Sequence, residues 1–135
     1  MRCVKLLVLI TLLTKSELIF GQDLACDSIY SFGEIMPNYP DGEQGLVNYF
    51  NLELMPILND SLNDDVKMIS KIYIKVNINS HGQVVEADII QKDLSAGCKA
   101  ALVSKLLTMQ GWSPGIHKGQ PACMSMTIPV KITYR

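Results

Sequence analysis

Ile72, Ile74, Val76 and Ile78 alternate with Tyr73, Lys75, Asn77 and Asn79, and this run constrains the fold more than any other feature of the chain. A period of two places the four branched apolar residues on one side of a pleated strand and leaves the other side polar. Asn79-Ser80-His81-Gly82 then reads as a turn, with Gly82 able to take a positive φ at little steric cost. The returning strand, Val84 to Gln91, alternates less regularly. With Val84 facing the core, Ala87 and Ile89 can share its face only across a one-residue bulge.

The segments after the hairpin set the topology. Ser95 caps a helix that reaches Met109, with Ala101, Leu102, Leu106 and Met109 on one face and Gly111 at its end. The last strand runs from Ala122 to Thr133, with Ala122, Met124, Met126, Ile128, Val130 and Ile132 on one face. A strand–helix–strand crossover makes this strand parallel to the second and lays it beside the first. The expected fold is therefore α+β: a three-stranded antiparallel/mixed sheet in the order 2-1-3, with two helices. Pro129 suits an edge strand, because a central strand would lose a ladder bond there. An unpaired edge can accept a strand from another chain.

Upstream, residues 22–34 read as an irregular N-terminal segment and residues 35–135 as the folded domain. Asp41 is the expected N-cap of a first helix whose stripe is Leu46, Val47, Tyr49, Phe50 and Leu54. This helix is expected to stop before Pro56, since an interior proline costs about 3 kcal/mol. Residues 56–69 then form a polar connector with room for a short helical turn.

The first 21 residues carry Arg2 and Lys5, an apolar run from Val4 to Leu13, and a small residue at Gly21. That is the layout of a secretory signal cleaved between Gly21 and Gln22. A lipoprotein signal ending at Cys26 and an uncleaved anchor are the alternatives. Lys15, Ser16 and Glu17 interrupt the run well before the about 20 apolar residues that span a bilayer. Removing Arg2, Lys5, Lys15 and Glu17 from 12 basic and 13 acidic residues leaves a net charge of −3. Such a chain has no basic surplus to displace counterions, so nucleic acid is not an expected partner.

Export places Cys26, Cys98 and Cys123 in an oxidising compartment. Cys98 opens the second helix on the apolar face, and Cys123 lies at the far end on the other face. A helix of about 12 residues spans about 18 Å, beyond the about 7 Å that a bridge allows between Cα atoms. No bridge between Cys98 and Cys123 is expected, and any bridge should involve Cys26. There is no CxxC, no Cys/His cluster at ligand spacing and no nucleophile motif. His81 and His117 stand apart in a turn and a loop. No enzyme, metal, cofactor or small-molecule substrate is expected.

With these elements placed, the chain resembles the C-terminal domain of TonB, the energy transducer of bacterial outer-membrane uptake, over residues 35–135. The resemblance rests on Met36-Pro37-Asn38-Tyr39-Pro40-Asp41-Gly42-Glu43, on Ile72-Tyr73-Ile74-Lys75-Val76 with Gly82-Gln83-Val84, and on Gly97-Cys98. It continues in Trp112-Ser113-Pro114-Gly115 and in Lys118-Gly119-Gln120-Pro121 before Thr127-Ile128-Pro129-Val130. It departs from the family pattern at Asp41, at Ser70, at Leu54-Met55-Pro56, and in having neither a spanning helix nor a Pro-rich spacer. The resemblance implies an exported, periplasmic protein-binding module of a Gram-negative envelope that captures an extended peptide from an outer-membrane receptor. The implied binding edge is Thr127, Ile128, Val130, Lys131, Ile132, Thr133 and Tyr134. A secreted structural domain that pairs with itself as a homodimer through that edge is the alternative.

Overall fold

The central strand folds as its alternation requires. The computed structural model describes residues 26–61 and 70–132. In it β1 (Lys71–Ile78) buries Ile72, Ile74, Val76 and Ile78 while Tyr73 and Lys75 face solvent. β2 (Val84–Ile90) returns antiparallel, and Asn77 stands opposite Glu86 but Ile78 opposite Val84. Val85 is thus the extra residue of a bulge, and this lets Val84 and Ile89 both reach the core. The connecting turn is held by Asn79, whose Oδ1 accepts from His81 N at 3.0 Å and Gln83 N at 2.9 Å. Gly82 sits there at φ 77° with the Trp112 carbonyl so near that a Cβ would lie 2.0 Å from it. No other residue fits.

A second helix, Ala96–Leu106, crosses the apolar face. Ser95 caps it as expected, its Oγ accepting from Cys98 N at 3.2 Å, and Cys98, Leu102 and Leu106 are buried beneath it. β5 (Met124–Lys131) then pairs antiparallel with β1, giving the sheet order β2-β1-β5, the 2-1-3 arrangement of an α+β fold. The helix ends three residues earlier than the periodicity suggests. The single strand expected over residues 122–133 is also divided. Gly115–His117 (β3) and Gln120–Ala122 (β4) form a small hairpin of their own, turned by Lys118 and Gly119 at φ 50° and 77°. His117 therefore stands in a short strand. Trp112 plugs the end of the helix, 4% exposed and packed against Tyr39 at a ring-centroid distance of 5.2 Å.

The first helical region departs most from expectation. α1 (Gly42–Tyr49) passes without a break into a π-helical turn, Phe50–Leu54, and then into α2 (Met55–Ser61). The chain does not stop at Pro56, and the start of the expected connector is helical as far as Ser61. Proline breaks a helix because it lacks an N–H and its ring meets the carbonyl four residues back. In the widened turn Met55 N donates to Phe50 O, five residues back, so the hydrogen bonding has already slipped before Pro56 arrives. Nor does Asp41 cap with its side chain. It takes φ 61°, and a tight turn with Gly42 N donating to Tyr39 O at 2.8 Å starts the helix instead. Phe50, Leu54 and Leu58 are buried against the sheet and the helix Ala96–Leu106.

Two contacts clip α1 and the π turn to the C-terminal end of the helix Ala96–Leu106. Tyr49 donates its hydroxyl to Lys105 O at 3.0 Å, and Lys105 Nζ lies 2.6 Å from Glu53 Oε2. Burial raises the Tyr49 phenol above its usual range, and the hydrogen bond to Glu53 raises the Lys105 ammonium.

The segment before α1 is a strap tied across β3 and the start of β5. Cys26 and Cys123 form a disulfide with Cα atoms 5.9 Å apart, and Cys98 is a free, buried thiol. The expectation that Cys98 and Cys123 stay unlinked, and that Cys26 makes any bridge, holds. A Cys26 sulfur bonded in this way is also not available to carry a lipid thioether. The proposed cleavage site at Gly21 and Gln22, and residues 62–69 of the connector, lie outside the described residues.

Candidate binding edge

β5 is an edge strand, and its register shows which of its backbone groups are spent. Ile132 N donates to Ser70 O at 2.9 Å. In an antiparallel ladder such pairs recur every second residue, so Val130, Ile128, Met126 and Met124 turn their N–H and C=O groups towards Ile72, Ile74, Val76 and Ile78. Ser125, Thr127, Pro129 and Lys131 turn theirs outward. The contact at Ser125 agrees, for its N–H donates outward to Tyr30 O at 2.8 Å. The strap occupies the edge at Cys123 and Ser125, leaving Thr127, Pro129 and Lys131 with outward backbone groups. Pro129 is tolerated because its missing donor would have pointed away from the sheet.

A groove of about 550 Å³ runs along this open edge. One wall is the edge itself, from Met126 to Lys131. The other is Leu46 and Val47 of α1 with Phe50, Asn51 and Met55 of the π turn and its exit, and Glu43 stands at the rim. The groove is mostly apolar, and Val47 is 43% exposed in it. The π turn contributes directly, through Phe50 and Asn51, and Met55 follows at its exit. On the opposite side of the strand, Lys131 faces Lys71 across the ladder, a like-charge pair that costs stability. Among the described residues no carboxylate pairs with either.

The residues singled out from sequence therefore divide into two sets. Thr127 and Lys131 supply outward backbone groups. Ile128 and Val130 have spent theirs on β1 and offer side-chain surface to the groove instead. Ile132 is buried, with its N–H bonded to Ser70. Thr133 and Tyr134 lie outside the described residues. The helical wall is not among the residues that the sequence points to for binding. Its stripe of Leu46, Val47 and Phe50 is legible, but nothing in that periodicity says that the stripe is wider than the core it covers.

A second, polar concavity lies around the disulfide, where the Tyr30 ring stacks on His117 at a centroid distance of 3.9 Å. Among the described residues there is no group of three His, Cys, Asp or Glu that could hold a metal ion, and no helix long and apolar enough to cross a membrane. No protein-family model, curated protein or solved structure matches the chain.

Proposed function

We propose that this chain is an exported protein-binding module of a Gram-negative cell envelope, which captures an extended peptide by adding it to β5. The reading includes a role beside TonB-dependent outer-membrane transport, as the resemblance of residues 35–135 implies, with an outer-membrane receptor or another envelope protein as partner. The observation that carries it is the edge at Thr127, Pro129 and Lys131, unpaired among the described residues and lying along an apolar groove. Backbone groups on such an edge provide affinity, and the groove takes alternate side chains of the added strand.

Self-pairing of two β5 edges fits less well. The antiparallel register that would use all three outward residues sets Pro129 against Pro129 of the second copy, a pair without a donor. Registers shifted towards Ser125 meet the strap.

The test is capture from envelope extract by the mature chain and by two variants. Thr127→Ser keeps the outward donor and should keep the partner, whereas Thr127→Pro removes the donor and should lose it. Retention of the same partner by Thr127→Pro would move binding away from this edge.

A further inference from the structure

The strap covers part of the same edge that peptide capture would use, and its two halves are held differently. Ile35 and Ile116 exchange two backbone bonds, as do Asn38 and Ser113. Gly33 lies so close that a Cβ would stand 2.3 Å from Ile116 O. Before Gly33 the hold is slight. Ile29, Tyr30 and Phe32 are exposed, Phe32 to 75%, so little apolar burial keeps this half in place. Among the described residues what remains is one pair of bonds, Tyr30 N to Cys123 O at 3.0 Å and Ser125 N to Tyr30 O at 2.8 Å, with the Tyr30–His117 stack and the Cys26–Cys123 bond. A segment with so few buried contacts opens at low free energy, unless a covalent tie keeps its effective concentration at about the millimolar level or above. Both cysteines are half-buried and line the open polar concavity, of about 600 Å³, which is the side from which a reductant would approach the bond.

We infer that the Cys26–Cys123 disulfide is a redox latch on the binding edge. Oxidised, it holds residues 27–32 over Cys123 and Ser125. Reduced, this half of the strap lifts, and the open edge lengthens from Thr127–Lys131 to Cys123–Lys131. It gains an outward donor at Ser125 and an acceptor at Cys123. The reductant is a dithiol. Its first thiolate attacks one sulfur and expels the other cysteine as a thiolate, and its second thiol then displaces the mixed disulfide. Two electrons and two protons pass to Cys26 and Cys123, and the dithiol leaves as a disulfide. The consequence for binding rests on the peptide-capture reading, but the latch itself does not.

The experiment is residue-resolved amide hydrogen exchange on the mature chain, oxidised, treated with dithiothreitol, and as the Cys26→Ser variant. On reduction, and in the variant, Tyr30 and Ser125 amides should exchange at least about tenfold faster, while Ile74 and Ile116 keep their protection. Unchanged exchange at Ser125 would overturn the latch. So would parallel loss of protection at Ile74, because the bond would then support the sheet as a whole. A synthetic peptide of residues 27–32, the part of the strap that lies on this edge, should bind Cys26→Ser and not the oxidised chain. Equal binding to both would also overturn the latch. Failure of the capture reading would appear separately, as indifference of partner capture to Thr127→Pro, and would leave the exchange results standing.

Discussion

Proline scanning of β5 separates backbone groups that hold the fold from those free to bind. Ile128 N points at Ile74 in the centre of the sheet, and Thr127 N points outward. In Ile128→Pro the Ile74 carbonyl is orphaned at a buried position of the central strand, at a cost of about 1–3 kcal/mol. The ring also intrudes on β1, so the total reaches about 3 kcal/mol or more. In Thr127→Pro no internal bond is lost. The preceding residue, Met126, is already extended, which is what a following proline demands, so the change should stay within about 1 kcal/mol. Urea unfolding followed by circular dichroism reads both. With m of about 1–3 kcal/mol/M, a 3 kcal/mol loss moves the midpoint by about 1–3 M, and a Thr127→Pro change of at most about 1 kcal/mol moves it by no more than about a third as far. Equal destabilisation by the two variants would refute the register argument, because Thr127 N would then be paired inside the domain.

Val47→Asp places a charge in the groove at a position 43% exposed, so it should change stability by no more than about 0.5 kcal/mol yet abolish partner capture in a binding titration. Gly82→Ala forces a side chain into φ 77° and drives a Cβ towards the Trp112 carbonyl. It should cost about 3 kcal/mol by chemical denaturation. Tyr49→Phe should cost only about 0.5–1 kcal/mol near neutral pH, because Thr108 Oγ1 and N still donate to Lys105 O. Its larger effect lies in alkali. The folded-state pKa of Tyr49 is raised above 10.0, so its share of stability is intact below that pH and is lost as pH rises through the folded value. Denaturation midpoints between about pH 9 and 12 should fall less steeply for Tyr49→Phe than for wild type. A steeper fall would reverse the sign of the argument.

How much of this was legible in the sequence depended on whether the deciding interaction was local. The parity of β1, the bulge after Gly82 and the Ser95 cap each follow from a few adjacent residues, and each is present. The sheet order followed from one non-local rule, the crossover, and the separation of Cys98 from Cys123 followed in turn from the faces that order assigned, whereas the choice of Cys123 as the partner of Cys26 was not legible. The continuation of the first helix past Pro56 was not legible. Proline penalises an α-turn, but the penalty vanishes when the turn before it is π, and the buried pair Leu54 and Leu58 rewards the continued helix through contacts distant in sequence. The β3–β4 hairpin leaves no periodic signal because each of its strands has only three residues, too few for a period to register.

The same division runs through the site. That β5 is an edge was legible from topology and Pro129. Which residues of the edge are open was not, because parity of side chains says nothing of which N–H groups face the neighbour. That was fixed by one bond, Ile132 N to Ser70 O, and by the strap's hold on Ser125. Pro129 links the two levels. It stands where an outward donor would be, so its cost to the fold is nil, and it leaves a gap in the donors offered to any strand that adds there. A partner strand thus meets donors at Thr127 and Lys131 but only an acceptor between them. Peptides N-methylated at single positions would detect that pattern. Methylation opposite the Pro129 carbonyl should remove the one bond that this position can make, and loss of binding there, with tolerance at the flanking positions whose N–H groups point away from β5, is the expected result. Uniform tolerance would mean that the groove's side-chain contacts hold the peptide without the ladder.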